Sequence, residues 1–285
     1  MNRVTAQAIV SIVAIVVVGG STPCLAQTDS SSHTERFVQA NGVAIHVLDW
    51  GGAGPNLVFL TGFGDTAHTF DSIADHFRRR FRVLAMTRRG RAPSSQPATG
   101  YDKDTLTADV VAALDALEIQ RAHLVGASIA GIEMTEIARQ YPGRVLSVVY
   151  LDAAIDAADA ARVMKLDPLA PPPSTPGSQS AQIDLWWKTY SPDFAVLKSP
   201  ALAFFAMQSR HPYVPADASD GIRIKADAYW ATEAKALVER MVAKFRREAK
   251  LGEAVLLLDA SHHLYQDKRE DVVKRMDAFY QQISK

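Results

Sequence analysis

The chain has 285 residues, 48% apolar and 22% charged, so it can bury a sizeable core and needs no metal or disulfide staple to fold. Lysine plus arginine and aspartate plus glutamate each total 31, which leaves no overall field to draw the chain toward nucleic acid or an anionic membrane. The partner expected is a small molecule.

The N-terminus carries Arg3, then an apolar run from Ala8 to Val18 broken only by Ser11, then Gly19, Gly20, Ser21, Pro23 and Cys24-Leu25-Ala26. A run of this length is too short to span a bilayer core as a stable helix. The pattern predicts a secretory signal over residues 1–26 and a secreted or periplasmic chain after cleavage, with no stable membrane span. Cys24 is the only cysteine, so the mature chain is expected to hold no disulfide, catalytic thiol or cysteine-ligated metal.

Residues 27–35 are polar and serine-rich and predict a disordered leader, with the folded core starting at residue 36. Phe37 to Ala40 and Val43 to Leu48 alternate around Asn41-Gly42, which predicts an antiparallel hairpin with a tight turn. Apolar runs then recur at Leu57 to Leu60, Arg82 to Met86, His123 to Val125 and Val145 to Leu151, separated by helical spacing such as Leu106, Val110, Leu114 and Leu117. Short apolar strands alternating with helices predict an α/β fold: a mostly parallel sheet behind the hairpin, covered by helices on both faces.

The alternation breaks over residues 154–199, where Pro168, Pro171, Pro172, Pro173 and Pro176 precede Trp186 and Trp187. This segment predicts a small inserted lid between core segments 36–153 and 200–285. Its Trp186, Trp187, Tyr190 and Phe194, with Phe63, Phe204 and Phe205 approaching from the core, are candidates to line an apolar pocket, or to form the lid's own core. Beyond it the pattern predicts a strand at Ala201 to Ala206, a long helix near Lys225 to Lys250, a strand at Ala254 to Leu258, and a closing helix with Val272, Met276, Phe279, Tyr280 and Ile283 on one face.

Gly126-Ala127-Ser128-Ile129-Ala130 puts a serine between a buried strand and the helix expected from Ile129 to Tyr141. A nucleophile held on such a turn needs small residues two before and two after it, so that strand and helix can pass closely, and Gly126 and Ala130 meet that need. A serine here also suits a helix N-cap. With this turn and these elements, the chain from about Phe37 onward resembles the α/β-hydrolase superfamily.

The resemblance implies Ser128 as nucleophile and an oxyanion loop at Leu60-Thr61-Gly62-Phe63-Gly64-Asp65, with the backbone N–H groups of Phe63 and Ile129 as donors. Ala130 replaces the usual glycine of the elbow, and Thr61 replaces the usual histidine of that loop. Met86 to Ala92 resembles the family's Arg-Gly turn, its arginines structural. Leu258-Asp259-Ala260-Ser261-His262-His263 resembles the loop that carries the base, which makes His262 the general base and turns His263 toward the lid or the sheet edge.

In this family the acid most often follows the strand read here at Ala201 to Ala206, but Met207 to Tyr213 holds no carboxylate and His211 stands about where an aspartate is expected. Some members draw the acid from the end of the preceding strand, which is Asp152 here, with Asp156 and Asp217 as alternatives. No cofactor is implied. No His-Glu-x-x-His run or supporting ligand accompanies the histidine pair, so no metal is expected, and His46, His68, His76, His123 and His211 read as surface or satisfied core residues. The function expected is a secreted serine hydrolase cleaving a small, largely apolar ester. The alternatives are hydrolysis of a peptide, lactone or C–C bond, or non-catalytic ligand binding on the same fold.

Overall fold

Asn41 and Gly42 take φ of 49° and 78°, the left-handed pair of a type I′ turn, whose twist matches that of the strands it joins. They link β1 (Thr34–Ala40) to β2 (Val43–Gly51) in antiparallel register. The computed structural model describes residues 32–284, so the expected signal at 1–26 and most of the expected leader lie outside the described residues. The leader was expected to reach Glu35, but Thr34 and Glu35 already pair with Asp49 and Leu48 in the sheet. Ladder pairing uses backbone groups and does not require apolar side chains, so polar composition alone misplaces this boundary.

The remaining strands are β3 (Asn56–Leu60), β4 (Arg82–Thr87), β5 (Ala122–Ala127), β6 (Val145–Leu151), β7 (Ala201–Met207) and β8 (Gly252–Leu258). They form one sheet in the order β1-β2-β4-β3-β5-β6-β7-β8, antiparallel at β1–β2 and β2–β4 and parallel from β4 to β8. The helices are α1 (Asp71–Phe77), α2 (Lys103–Ala116), α3 (Ala130–Gln140), α4 (Ala157–Met164), α5 (Gln179–Trp187), α6 (Asp220–Tyr229), α7 (Lys235–Glu248), α8 (Leu264–Asp267) and α9 (Arg269–Ile283).

Successive strand residues alternate between two helix layers. Val58, Leu84, Leu124, Val148 and Phe205 pack with α2, α3 and α7, while Leu57, Val83, Val125, Val149 and Phe204 pack with α1 and α9. Burial on both faces is why these strands read as continuous apolar runs. Phe204 and Phe205 therefore point to opposite layers, each fully buried, and do not converge on a pocket as expected.

The insertion is pinned to the core. Asp156 caps α4 by accepting from the Asp159 N–H at 3.2 Å, and Ser178 caps α5 by accepting from Ala181 at 3.1 Å. Trp186 Nε1–H donates to Tyr101 O at 2.9 Å, and Gln182 donates to Ala98 O at 2.8 Å. Trp187 is buried in the layer of α2, α3 and α7, and Phe194 packs edge-on against Tyr150 and Phe245 at 5.9 and 5.0 Å. These aromatics thus anchor the segment to the core rather than forming a separate core of their own.

The single helix expected near Lys225 to Lys250 begins earlier and is two helices, α6 and α7, joined by a π turn at Trp230–Ala234. Trp230 on that turn is buried and donates its indole N–H to Gln208 O at 2.7 Å. The widened turn accommodates a tryptophan that ties the helix to the end of β7.

Candidate active site

Parallel strands β3 to β8 all end at one edge of the sheet, and β3 lies between β4 and β5, so the chain's direction of travel across the sheet reverses at β3. Such reversals open a crevice at the carboxyl ends of the strands, where ligands bind in sheets of this kind. The turns after β3, β5, β6 and β8 carry Thr61 to Asp65, Ser128, Asp152 and Asp259 to His263.

Ser128 takes φ of 55°, a left-handed conformation that costs a residue bearing a Cβ about 1–3 kcal/mol and persists only where its surroundings impose it. The helix cap falls one residue later, at Ile129, with no side-chain capping bond, so Ser128 is not the N-cap. The elbow's small residues face one another: a Cβ built on Gly126 would lie 3.0 Å from the Ala130 Cβ and 2.7 Å from Met134 Cε. Ala130 is accommodated because Gly126 has no side chain. The tightest approach is at Gly131, where a Cβ would fall 1.8 Å from Ala153 O. A glycine in the first turn of a helix, where alanine is more favourable, is the sequence signal of this close approach.

Thr61 is buried, and its Oγ1 accepts from the Arg88 N–H at 3.3 Å, fastening the loop after β3 to the end of β4. Gly62 lies against the serine: a Cβ there would stand 3.2 Å from Ser128 Cβ and 2.9 Å from Asp65 Oδ2. Phe63 is half-buried and packs against the layer of α2 and α3. Ile129 stands at the first turn of α3, where backbone donors have no partner within the helix.

His262 Nδ1 lies 2.7 Å from Asp152 Oδ2. Asp152 is held at φ of 49° by the neighbouring strand, its Oδ1 accepting from the Ala206 N–H and its own N–H donating to Phe204 O, each at 3.0 Å. Asp156 accepts from Ser191 Oγ at 2.6 Å as well as capping α4, and Asp217 is exposed in a turn. His211 is buried with its Nε2 3.2 Å from Asp167 Oδ2, so it faces the insertion and not His262.

His263, expected to turn toward the lid or the sheet edge, faces the loop after β3 and not the lid. Its Nε2 lies 3.4 Å from Asp65 Oδ2, and its ring stands edge-on to Tyr265 at 5.8 Å. The Asp65 carboxylate outweighs burial and raises His263 above the ordinary histidine range. Nothing local in the sequence links these partners, because the pairing exists only once β3 and β8 share an edge.

The arginines after β4 are paired within the core. Arg88 forms a buried ion pair with Glu133, and burial pushes its guanidinium down to about 10. Arg89 grips Asp109 with two bonds of 2.5 and 2.6 Å. His46, His68, His76 and His123 bond to Thr87, Asp71, Asp277 and Ser147. Among the described residues, no three or more His, Cys, Asp or Glu side chains are grouped to hold a metal ion, and no helix is long and apolar enough to cross a membrane.

The non-heme chloroperoxidase of Streptomyces lividans is 38% identical over 117 residues, 40% of this chain and 42% of that protein. The 2-(acetamidomethylene)succinate hydrolase of Mesorhizobium japonicum is 29% identical over 123 residues, 43% of this chain and 44% of that protein. The matched stretch thus spans less than half the length of these relatives. A solved structure of a membrane phospholipase A, described as a bacterial virulence factor, superposes with a TM-score of 0.65 at 18% identity, over 89% of this chain and 87% of that one. At that identity the likeness speaks for the fold alone. Residues 55–269 match the family model of the alpha/beta hydrolase fold, and the chain belongs to that family.

Proposed function

We propose that the protein is a serine hydrolase that cleaves a small, largely apolar ester through an acyl-enzyme on Ser128. The observation that carries this reading is the hydrogen-bonded His262–Asp152 pair on the same sheet edge as a serine held at φ of 55°. Relatives named as a 2-(acetamidomethylene)succinate hydrolase and a 3-oxoadipate enol-lactonase support the hydrolase part of this reading.

In this mechanism the Asp152 carboxylate accepts the His262 Nδ1–H, which leaves Nε2 free to take the Ser128 proton. Ser128 Oγ attacks the ester carbonyl, and the N–H groups of Phe63 and Ile129 stabilise the resulting oxyanion, each donor worth about 3 kcal/mol. His262 then protonates the leaving alcohol, and a water activated by the same imidazole releases the acid. Several charged side chains of the surrounding turns are already paired, as Asp152–His262, Asp65–His263 and Arg88–Glu133, which favours an uncharged substrate over one needing one of them as a counter-ion. Residues 154–199 act as the lid over this edge, and the chain is exported after loss of residues 1–26.

The test is pre-steady-state hydrolysis of nitrophenyl esters of increasing acyl length. The proposal expects a burst of nitrophenol stoichiometric with enzyme, abolished in Ser128→Ala, and best turnover with uncharged acyl groups. A folded protein with no turnover and no burst would instead favour ligand binding without catalysis.

A further inference from the structure

The mechanism above uses one of two adjacent histidines. The other, His263, sits edge-on to His262 with ring centroids 5.7 Å apart, and its Nε2 lies 3.4 Å from Asp65 Oδ2. Asp65 comes from the loop after β3. A Cβ on Gly62 would lie 2.9 Å from that carboxylate oxygen and 3.2 Å from Ser128 Cβ, so little more than a missing methyl group separates Asp65 from the serine side chain. An uncompensated carboxylate there opposes any negative charge that builds on a substrate oxygen. Like charges about 6 Å apart at an effective dielectric of about 20 slow such a step on the order of a hundredfold.

We propose that His263 is a positioning residue, present as an imidazolium against Asp65, which neutralises that carboxylate while the oxyanion forms and ties the oxyanion loop to the loop bearing the base. The inference rests on Ser128 being the nucleophile. His263 touches no reacting atom and acts through Asp65.

The groups around the pair favour this charge state. His263 faces Asp65 from the loop after β3, Asp152 from the end of β6 and Asp267 from α8, with the rings of His262 and Tyr265 beside it. Asp152 is already engaged by His262, so Asp65 is its main counter-ion. Asp65 also acts on Arg88 and on Tyr265, but Arg88 is held in its ion pair with Glu133. The Asp65 contact raises His263, so the cation survives to higher pH than on a free imidazole and is lost as pH rises further. Losing it uncovers Asp65, and the reaction then slows as pH rises.

The test is the rate at which a fluorophosphonate labels Ser128, a reaction in which Oγ displaces fluoride and its proton passes to His262. Rates are measured between about pH 6 and 10 for the wild type, His263→Gln, Asp65→Asn and the double variant, each checked for folding by its unfolding transition. His263→Gln is expected to label on the order of 10- to 100-fold more slowly than the wild type. Adding Asp65→Asn should recover much of that loss, and the alkaline decline of the wild type should be absent from Asp65→Asn. A double variant as slow as His263→Gln, or an alkaline decline that persists in Asp65→Asn, overturns the proposal. If His263→Gln does not fold, the Asp65→Asn profile decides on the same criterion. Labelling of Ser128 at equal rates in all four proteins removes only the role of His263, whereas a folded wild type that is never labelled removes the serine mechanism and this inference with it.

Discussion

A neutral imidazole can carry its proton on either nitrogen, and a base that serves Ser128 needs it on Nδ1. In the proposed mechanism the Asp152 carboxylate, 2.7 Å away, selects that tautomer and stabilises the imidazolium that follows. Asp152→Asn is therefore expected to lower kcat by about 10³- to 10⁴-fold with little change in KM, and Asp156→Asn by less than about threefold, both read from steady-state ester hydrolysis. The Arg88–Glu133 pair makes a different claim, on stability. Glu133→Ala strands a buried guanidinium and should cost about 3–5 kcal/mol in denaturant unfolding, whereas replacing both partners with apolar residues of similar volume should cost far less. Ser128 and His262 could be singled out from the sequence as candidates because each is a reactive residue type at the end of a readable strand. The Asp65–His263 contact could not, because neither residue carries a local signature of the other.

At the scale of elements, the site depends on how closely α3 passes the neighbouring strand ends. Gly131 meets the backbone of Ala153, next to Asp152, while Gly126 meets the flexible end of Met134 and the Ala130 methyl group. Gly131→Ala must push the strand or the helix, so it should destabilise by about 2–4 kcal/mol and lower activity by displacing Asp152. Gly126→Ala should cost about half that, since Met134 can turn away, and denaturant midpoints with parallel activity assays separate the two. The strands were legible because they are apolar on both faces and bounded by turns. The start of β1 was not, since it is held by backbone pairing, and neither was the π turn at Trp230–Ala234, since it answers to a tryptophan bonding back to Gln208.

For the molecule as a whole, equal numbers of acidic and basic residues leave acid sensitivity to particular buried groups. His123 is buried beside Ser147, and desolvation lowers its pKa from 6.5 to about 4. The unfolded chain therefore binds this proton between those two values while the folded protein does not. Stability is full above the unfolded value and falls as pH drops through the window, by up to about 3 kcal/mol at its acid end. Unfolding free energies at pH 7 and about pH 4.5 should show that loss in the wild type and a smaller one in His123→Asn, whose amide keeps a bond to Ser147 without titrating. The fold class was legible at this scale because the alternation of strands and helices runs the length of the core. The anchoring of residues 154–199 was not, because Trp186, Trp187 and Phe194 find their partners in distant parts of the chain.

The central claim is that Ser128 is a nucleophile activated by His262, and mass mapping of the fluorophosphonate adduct on the folded protein tests it most directly. The mechanism predicts one adduct, on the peptide containing Ser128, lost in a folded His262→Ala variant. A folded wild type without adduct, or one labelled on another residue, would contradict it.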